Sequence, residues 1–405
     1  MFKCRLCNSQ EVASIIPLGN LPLANALLSS KTSEPETCCN LEVMLCHNCN
    51  LAQLRDLIDP TQLFSDYVYF SSNSDEMLTS ARLLTERIIQ QFNQDKPFVV
   101  EIASNDGYLL KNYVGAGIDV LGIDPAENIA RLANENGIPT QCCFFGEEIA
   151  HQLAHQGQQA DIIHANNVMA HVPDINGFIK GIKTLLKDDG QAIIEVPYFL
   201  ELIKKLEFDT IYHEHVYYFS VLSLKFAFTQ HDLTIHDIEQ LSLHGGSLRL
   251  FVSHTGKRSV ASIVDNLIQE ETFFGLKGLK IYEIFTKELG ILRSLLTKTL
   301  TDLKISGAKI AAYGASAKGT TLLNYFQIDS TLIDFVVDRS VAKQGKYTPG
   351  TQLEIFAPQA LIDNKITHAL LLTWNFEKEI LVQQQEFINR GGQFIIPLPE
   401  VAVKP

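Results

Sequence analysis

The chain predicts an α/β protein in three parts: a small metal-binding segment, a central parallel-sheet unit, and a second, Rossmann-like α/β unit at the end. Three observations predict this. Two Cys-x-x-Cys pairs, Cys4/Cys7 and Cys46/Cys49, stand at the front. Apolar strand-like runs alternate with helical patterns from Phe98 to Pro197, the order of a parallel sheet with crossover helices. The alternation resumes at Lys309 after a long helical stretch.

A chain of 405 residues calls for two or three domains, here expected at 1–70, 71–258 and 259–405, the last opening with a helical linker. The hydrophobic fraction of 46% supports sizeable cores. A net charge of -13 argues against a nucleic-acid surface, which needs a basic stripe, and against docking on anionic lipid. No apolar run reaches the roughly 18 residues that span a bilayer. Met1 to Cys7 carries no apolar leader core, so a cytoplasmic location is expected, and the eight cysteines are read as thiols or metal ligands.

The two Cys-x-x-Cys knuckles can present four thiolates tetrahedrally to a structural Zn²⁺, with Cys4, Cys7, Cys46 and Cys49 as ligands. Cys38, Cys39 and His47 are weaker candidates, because adjacent residues chelate poorly. A segment this short has little core of its own, and the metal would supply folding energy. Cys142 and Cys143 are read as buried apolar fillers.

In the middle unit, a helix is expected from about Ser74 to Phe92, before the strand that starts at Phe98. Val99 to Leu110 is the most informative stretch: an apolar run ending in Glu101, a small polar turn through Ala103, Ser104, Asn105, Asp106 and Gly107, then a helix start. The next strand ends in Asp124-Pro125, placed to hold an adenosine ribose. The turn has one glycine rather than three, and Glu101 would repel a pyrophosphate. It suits a cofactor that has adenosine, no phosphate and a cationic amino-acid end, as S-adenosylmethionine has. Further strands run from Ala160 to Ala165, before Asn166-Asn167, and from Gln191 to Pro197; a helix from Ile175 to Lys187 ends at Asp188-Asp189-Gly190. Glu101, Asp124, Asn166 and Pro197 all fall at the carboxyl ends of strands, where such sheets bind ligands.

These features together resemble a class I S-adenosylmethionine-dependent methyltransferase. The resemblance makes Glu101, Ala103, Ser104, Asn105, Asp106, Gly107, Asp124, Pro125, Asn166, Asn167 and His171 the candidate cofactor-binding residues.

Tyr212-His213-Glu214-His215 places four ionisable groups in a row. In a helix, Tyr212 and His215 would share a face; in a strand, His213 and His215 would. In either form a carboxylate can orient a histidine, which is suited to proton abstraction near neutral pH, while a hydroxyl or second imidazole stabilises an enolate oxygen. A second metal site is the competing functional reading of this segment.

The whole chain resembles the nucleotide-sugar C-methyltransferases, which add a methyl to C-3 of a 4-keto deoxyhexose. The motifs that carry this, in matching order, are the Cys-x-x-Cys pairs with Pro17 to Asn25, the Glu101 to Gly107 turn, His171-Val172-Pro173-Asp174, Tyr212 to His215, and His244 to Arg249. The resemblance implies that His215 is the base, with Tyr212, His213 and Glu214 in support. Ala103 departs from the family, which often has glycine there.

The run from about Val260 to Leu303 reads as a helical linker or hairpin. Strand Lys309 to Tyr313 then leads into Gly314-Ala315-Ser316-Ala317-Lys318-Gly319, a turn with two glycines, hydroxyls nearby and a lysine at a helix start, suited to a diphosphate. The family resemblance implies that the nucleotide diphosphate of the sugar binds here, with Ser316, Lys318 and Asn324 as candidates, helped by Asp338 and the loop containing Tyr347; Tyr198 is a further substrate-binding candidate. The expected partner is thus a nucleotide diphosphate sugar. Rival readings are methyl transfer to oxygen or nitrogen, an oxidoreductase with NAD on the C-terminal turn, and a non-catalytic zinc scaffold.

Overall fold

The computed structural model describes residues 2–60, 63, 71–92, 97–242 and 245–405. His244 of the fifth motif lies outside them. The fold is built on three sheets.

The first sheet holds β1 (Val12–Pro22), β2 (Cys38–Cys46) and β3 (Ala52–Leu54), all antiparallel. Its fourth strand is β9 (Tyr217–Tyr218), which arrives from the middle of the chain and pairs with β3. The catalytic candidates therefore lie immediately before a strand that belongs to the N-terminal sheet.

The second sheet has seven strands in the order β10-β11-β8-β7-β4-β5-β6. Its parallel body comprises β4 (Phe98–Ile102), β5 (Asp119–Asp124), β6 (Thr140–Cys142), β7 (Ala160–Asn166) and β8 (Leu186–Pro197). β4 and β7 are near-continuous apolar runs because helices cover both faces of the sheet. The first strand, β4, lies between β5 and β7, so the order reverses at its carboxyl end, where a ligand crevice forms. Hairpin β10 (Leu233–Leu241) and β11 (Ser247–His254) extends the sheet antiparallel beyond β8.

The third sheet has the order β14-β13-β12-β15-β16-β17, comprising β12 (Ile310–Tyr313), β13 (Val336–Val337), β14 (Ile355–Phe356), β15 (His368–Leu371), β16 (Gln393–Ile396) and β17 (Ala402–Lys404). All pairings but β16–β17 are parallel, and the order reverses between β12 and β15.

Several boundaries differ from the sequence reading. The helix before β8 ends at Leu185, and Asp188-Asp189-Gly190 belongs to the strand. Lys257 neutralises both aspartates there, and a Cβ on Gly190 would stand 3.0 Å from the Ala160 carbonyl oxygen, so the apparent stop is an acidic stretch of strand packed against β7. The long helical run is two helices, Ser262–Phe274 and Lys280–Ile305, broken where Gly275 adopts φ +97°. Cys142 is exposed rather than a core filler, because β6 is the sheet's edge, whereas Cys143 is half-buried and packs against the core. Among the described residues no helix is long and apolar enough to cross a membrane.

Candidate functional site

The turn after β4 is built by left-handed backbone at Ala103 (φ +56°), Asn105 (φ +50°) and Gly107 (φ +77°). A Cβ on Gly107 would meet Ile138 at 2.8 Å, so that position needs glycine for space as well as for backbone. The Asp124 carboxylate accepts from the amides of Asn105 and Ala126, both at 3.0 Å, locking the two strand ends together. Asn105 Oδ1 and Asp106 Oδ2 accept from the amides of Ser71 (2.9 Å) and Ser72 (3.3 Å), which brings a short helical turn over the loop.

Glu101 lies beneath, 1% exposed, with neither carboxylate oxygen hydrogen-bonded. Burial pushes its carboxyl well above the usual range, and the charges of Asp124, Asp106 and Glu195 add to this. Asn166 Oδ1, Asp106 Oδ1 and Ser104 Oγ are also buried without partners. An incoming ammonium would satisfy this acidic floor, whereas a phosphate would be repelled. The residues present thus fit the amino-acid end of S-adenosylmethionine. Asn167, at φ +54°, donates to the Glu195 carbonyl at 2.8 Å, and the half-buried Pro125 follows Asp124 on the same rim.

Tyr212 to His215 is neither helix nor strand but a turn, closed by the His215 amide on the Tyr212 carbonyl at 2.9 Å. Its side chains diverge. His215 Nδ1 bonds the Thr210 carbonyl at 2.7 Å, and Nε2 meets the Tyr212 hydroxyl at 2.8 Å. A carbonyl only accepts, so Nδ1 carries a proton, and Nε2 is the ring atom left to bear a lone pair. A carbonyl thus does the orienting expected of a carboxylate. The Glu214 carboxylate instead accepts from Asn25 Nδ2 at 2.6 Å, and burial pushes it up to about 7 against that bond. His213 Nε2 donates to the Cys39 carbonyl at 3.1 Å. His171 joins the turn: its Nδ1 donates to the Glu214 carbonyl at 2.8 Å, its ring meets that of His215 edge-on at 4.9 Å, and burial holds it down to about 4, hence neutral.

The C-terminal turn is placed at the reversal between β12 and β15. Ser316 caps the helix Ala317–Phe326 by accepting from the Gly319 amide. Asp338 holds the amides of Ala315 and Ser340, both at 2.8 Å. Lys318 Nζ is buried without a hydrogen-bond partner, 4.8 Å over the Trp374 ring. Asn324 is farther down the helix, donating to the carbonyls of Thr320 and Pro349. Tyr347 pairs through its backbone with Leu28 and Glu354. Tyr198 is 2% exposed in the core near Glu271, and burial raises its hydroxyl pKa.

The four knuckle cysteines converge, with all Sγ atoms within 4.8 Å of one another and the closest pairs, Cys4–Cys49 and Cys7–Cys46, at 3.5 Å. A tetrahedron with Zn–S bonds of about 2.3 Å has edges of about 3.8 Å, so the set fits zinc. Among the described residues no other group of three or more His, Cys, Asp or Glu side chains converges in this way. Buried Gln53 of β3 donates to Cys4 Sγ at 3.1 Å and accepts from the Arg5 amide at 3.1 Å. Gln53, Asn25, Thr210 and Trp374 were not singled out from sequence. Asn25 alone had a signal, as the end of a quoted motif.

Comparison with known proteins matches residues 4–64 to the family model described as "Putative zinc binding domain", 77–238 to "Methyltransferase domain" and 242–399 to "C-methyltransferase C-terminal domain". The chain is 34% identical over 404 residues to C-methyltransferase NovU of Streptomyces niveus, covering 99% of this chain and 96% of that one. It is 30% identical over 136 residues to a ubiquinone biosynthesis O-methyltransferase of Acinetobacter baylyi, covering 29% of this chain and 56% of that one. Among solved structures, magnesium protoporphyrin IX methyltransferase from Synechocystis, with bound SAM, aligns at 14% identity over 44% of this chain and 79% of that one, with a TM-score of 0.34.

Proposed function

The chain belongs to the C-methyltransferase family, and from that premise we propose that it methylates C-3 of a nucleotide-linked 4-keto deoxysugar through a base-generated enolate. It is an S-adenosylmethionine-dependent enzyme with a structural zinc site. The sulfonium of S-adenosylmethionine supplies an electrophilic methyl. The protein's part is to hold that donor on the rim of β4, β5 and β7 and to make a carbanion beside it.

The His215–Tyr212 pair carries the reading. With Nδ1–H fixed on the Thr210 carbonyl, Nε2 is the basic atom, and its partner is a phenol. A keto group at C-4 acidifies the C-3 proton. His215 Nε2 takes that proton, and the Tyr212 hydroxyl turns from Nε2 to the enolate oxygen, stabilising its charge. Neutral His171, edge-on to His215, is the second imidazole of the pocket. Glu101 and Asp106 take the donor's ammonium and Asp124 its ribose. The Gly314–Lys318 turn takes the diphosphate, with Lys318 Nζ as the counter-charge. Holding both reactants between two domains supplies the alignment that a bimolecular transfer lacks.

The test is a dTDP-4-keto-deoxysugar in D₂O, with and without S-adenosylmethionine, read by mass spectrometry. One added methyl with the donor, and deuterium entering at C-3 without it, are expected. His215→Ala lowers methyl transfer by about 10²–10⁴-fold and abolishes the exchange. A variant that exchanges and methylates normally sinks the base assignment.

A further inference from the structure

His215 is oriented by a carbonyl that belongs to a small, tightly held element. Residues Phe208–Thr210 form a single 3₁₀ turn, closed by the Thr210 amide and hydroxyl on the Glu207 carbonyl at 3.1 and 2.7 Å. The turn is fastened to the C-terminal domain from two sides. Phe208, fully buried, packs its ring 4.7 Å from Phe326 and 5.3 Å from Tyr325, both on the helix that starts at the Ser316–Lys318 turn. Asp209, also fully buried, accepts from Trp374 Nε1 at 2.7 Å, and Trp374 follows β15 at the mouth of the C-terminal crevice. Burial pushes Asp209 up to about 6 and Glu207 up to about 7, and Lys318, which lies over that same indole, opposes the rise with its charge. A buried carboxyl with one oxygen on an indole N–H and the other unpartnered is costly, and the Trp374 bond offsets part of that cost, so the contact is one the fold keeps tightly made. One residue later, the Thr210 carbonyl holds Nδ1 of His215.

We propose that Asp209 is a positioning residue: its bond to Trp374 ties the turn that aligns His215 to the rim of the C-terminal crevice. The imidazole is thereby aligned by the domain that receives the nucleotide. The catalytic consequence rests on the function proposed above; the alignment itself does not.

The test uses the full zinc-loaded chain with ¹⁵N-labelled histidine. Asp209→Ala and Trp374→Phe break the tie, while Asp209→Asn keeps an oxygen for the indole N–H. In the wild type the His215 Nδ1 proton is protected from solvent exchange. Exchange about tenfold faster is expected in Asp209→Ala and Trp374→Phe, and near-wild-type exchange in Asp209→Asn. With sugar nucleotide, the two tie-breaking variants lose about 10- to 100-fold in kcat while KM stays within about threefold, and Asp209→Asn retains most of kcat. Wild-type protection in both tie-breaking variants overturns the proposal. So does an Asn variant as damaged as the Ala variant, because charge rather than the tie would then matter. The proton readout needs no substrate, so a wild-type chain that fails to methylate the sugar overturns the proposed function and leaves the alignment test in force.

Discussion

Removing zinc should disable the turn proposed to carry the base, which the four cysteines do not touch. The path is short. Gln53 bonds Cys4 Sγ and lies on β3, whose register places Gln53 opposite Tyr217 and Ala52 opposite Tyr218. The Leu54 amide donates to the Val216 carbonyl at 2.8 Å, and Arg5, between the first two ligands, donates to the Leu54 carbonyl at 2.6 Å. Asn25 and the Cys39 carbonyl take Glu214 and His213. A structural zinc contributes about 10–16 kcal/mol to folding a domain of this kind, so its loss unfolds the first sheet. The turn then loses the bonds to Leu54, Cys39 and Asn25, at about 1 kcal/mol each and about 2 for the carboxylate, or about 4 kcal/mol together. At 1.4 kcal/mol per decade this lowers the population of the native turn about 10²–10³-fold, and kcat with it. The assay strips metal with a chelator, counts released zinc with a chromogenic reagent, and follows methyl transfer alongside amide exchange over residues 212–218. Expected are one zinc per chain, parallel loss of activity and protection, and recovery of both when zinc is returned. A metal-free chain with full activity and unchanged protection at 212–218 would refute the reasoning.

Three other predictions follow from single positions. Ala103 holds φ +56°, where a Cβ costs about 1–2 kcal/mol, so Ala103→Gly should raise the urea midpoint by the equivalent of about 1 kcal/mol after glycine's extra chain entropy; an unchanged or lower midpoint contradicts this. Gly245 has φ +98°, and a Cβ there would stand 2.4–2.6 Å from the Glu207 carboxyl atoms, so Gly245→Ala should destabilise by more than about 2 kcal/mol in the same assay. Glu214 is pushed from 4.5 to about 7 in the folded chain, so the native state keeps a proton that the unfolded state has released. Its contribution to stability therefore falls as pH rises from about 4.5 to about 7, by about 3 kcal/mol, and is flat above; Glu214→Gln should flatten that part of the urea-midpoint profile.

What the sequence disclosed was local. The Glu101–Gly107 turn and Asp124 lie 17 to 23 residues apart on consecutive strands, and the chemistry proposed for that crevice follows from an acid before a turn with one glycine. The doubled Cys-x-x-Cys spacing likewise placed four sulfurs correctly. Apart from the Thr210 carbonyl, five residues before His215, the supports of the Tyr212–His215 turn were not legible, because they come from far along the chain. Asn25 and Glu214 are 189 residues apart, and Asp209 and Trp374 are 165 apart. A two-residue strand such as β9 leaves no periodicity to read. The four ionisable residues suggested one face of a helix or strand, yet a turn sends His213 and Glu214 to the N-terminal domain and leaves Tyr212 with His215. Asn324, a diphosphate candidate through the family resemblance, has an amide nitrogen that donates to the carbonyls of Thr320 and Pro349, contacts its sequence position did not announce.

The turn that carries His215 lies near the middle of the chain, and its clasps come from both ends. On the ribosome, therefore, the crevice at the end of β4 can close before Trp374 has been made, whereas the tie from Asp209 forms only once Trp374 emerges. A nascent or prematurely ended chain would be able to hold a reactive methyl donor and yet lack the means to spend it on a bystander.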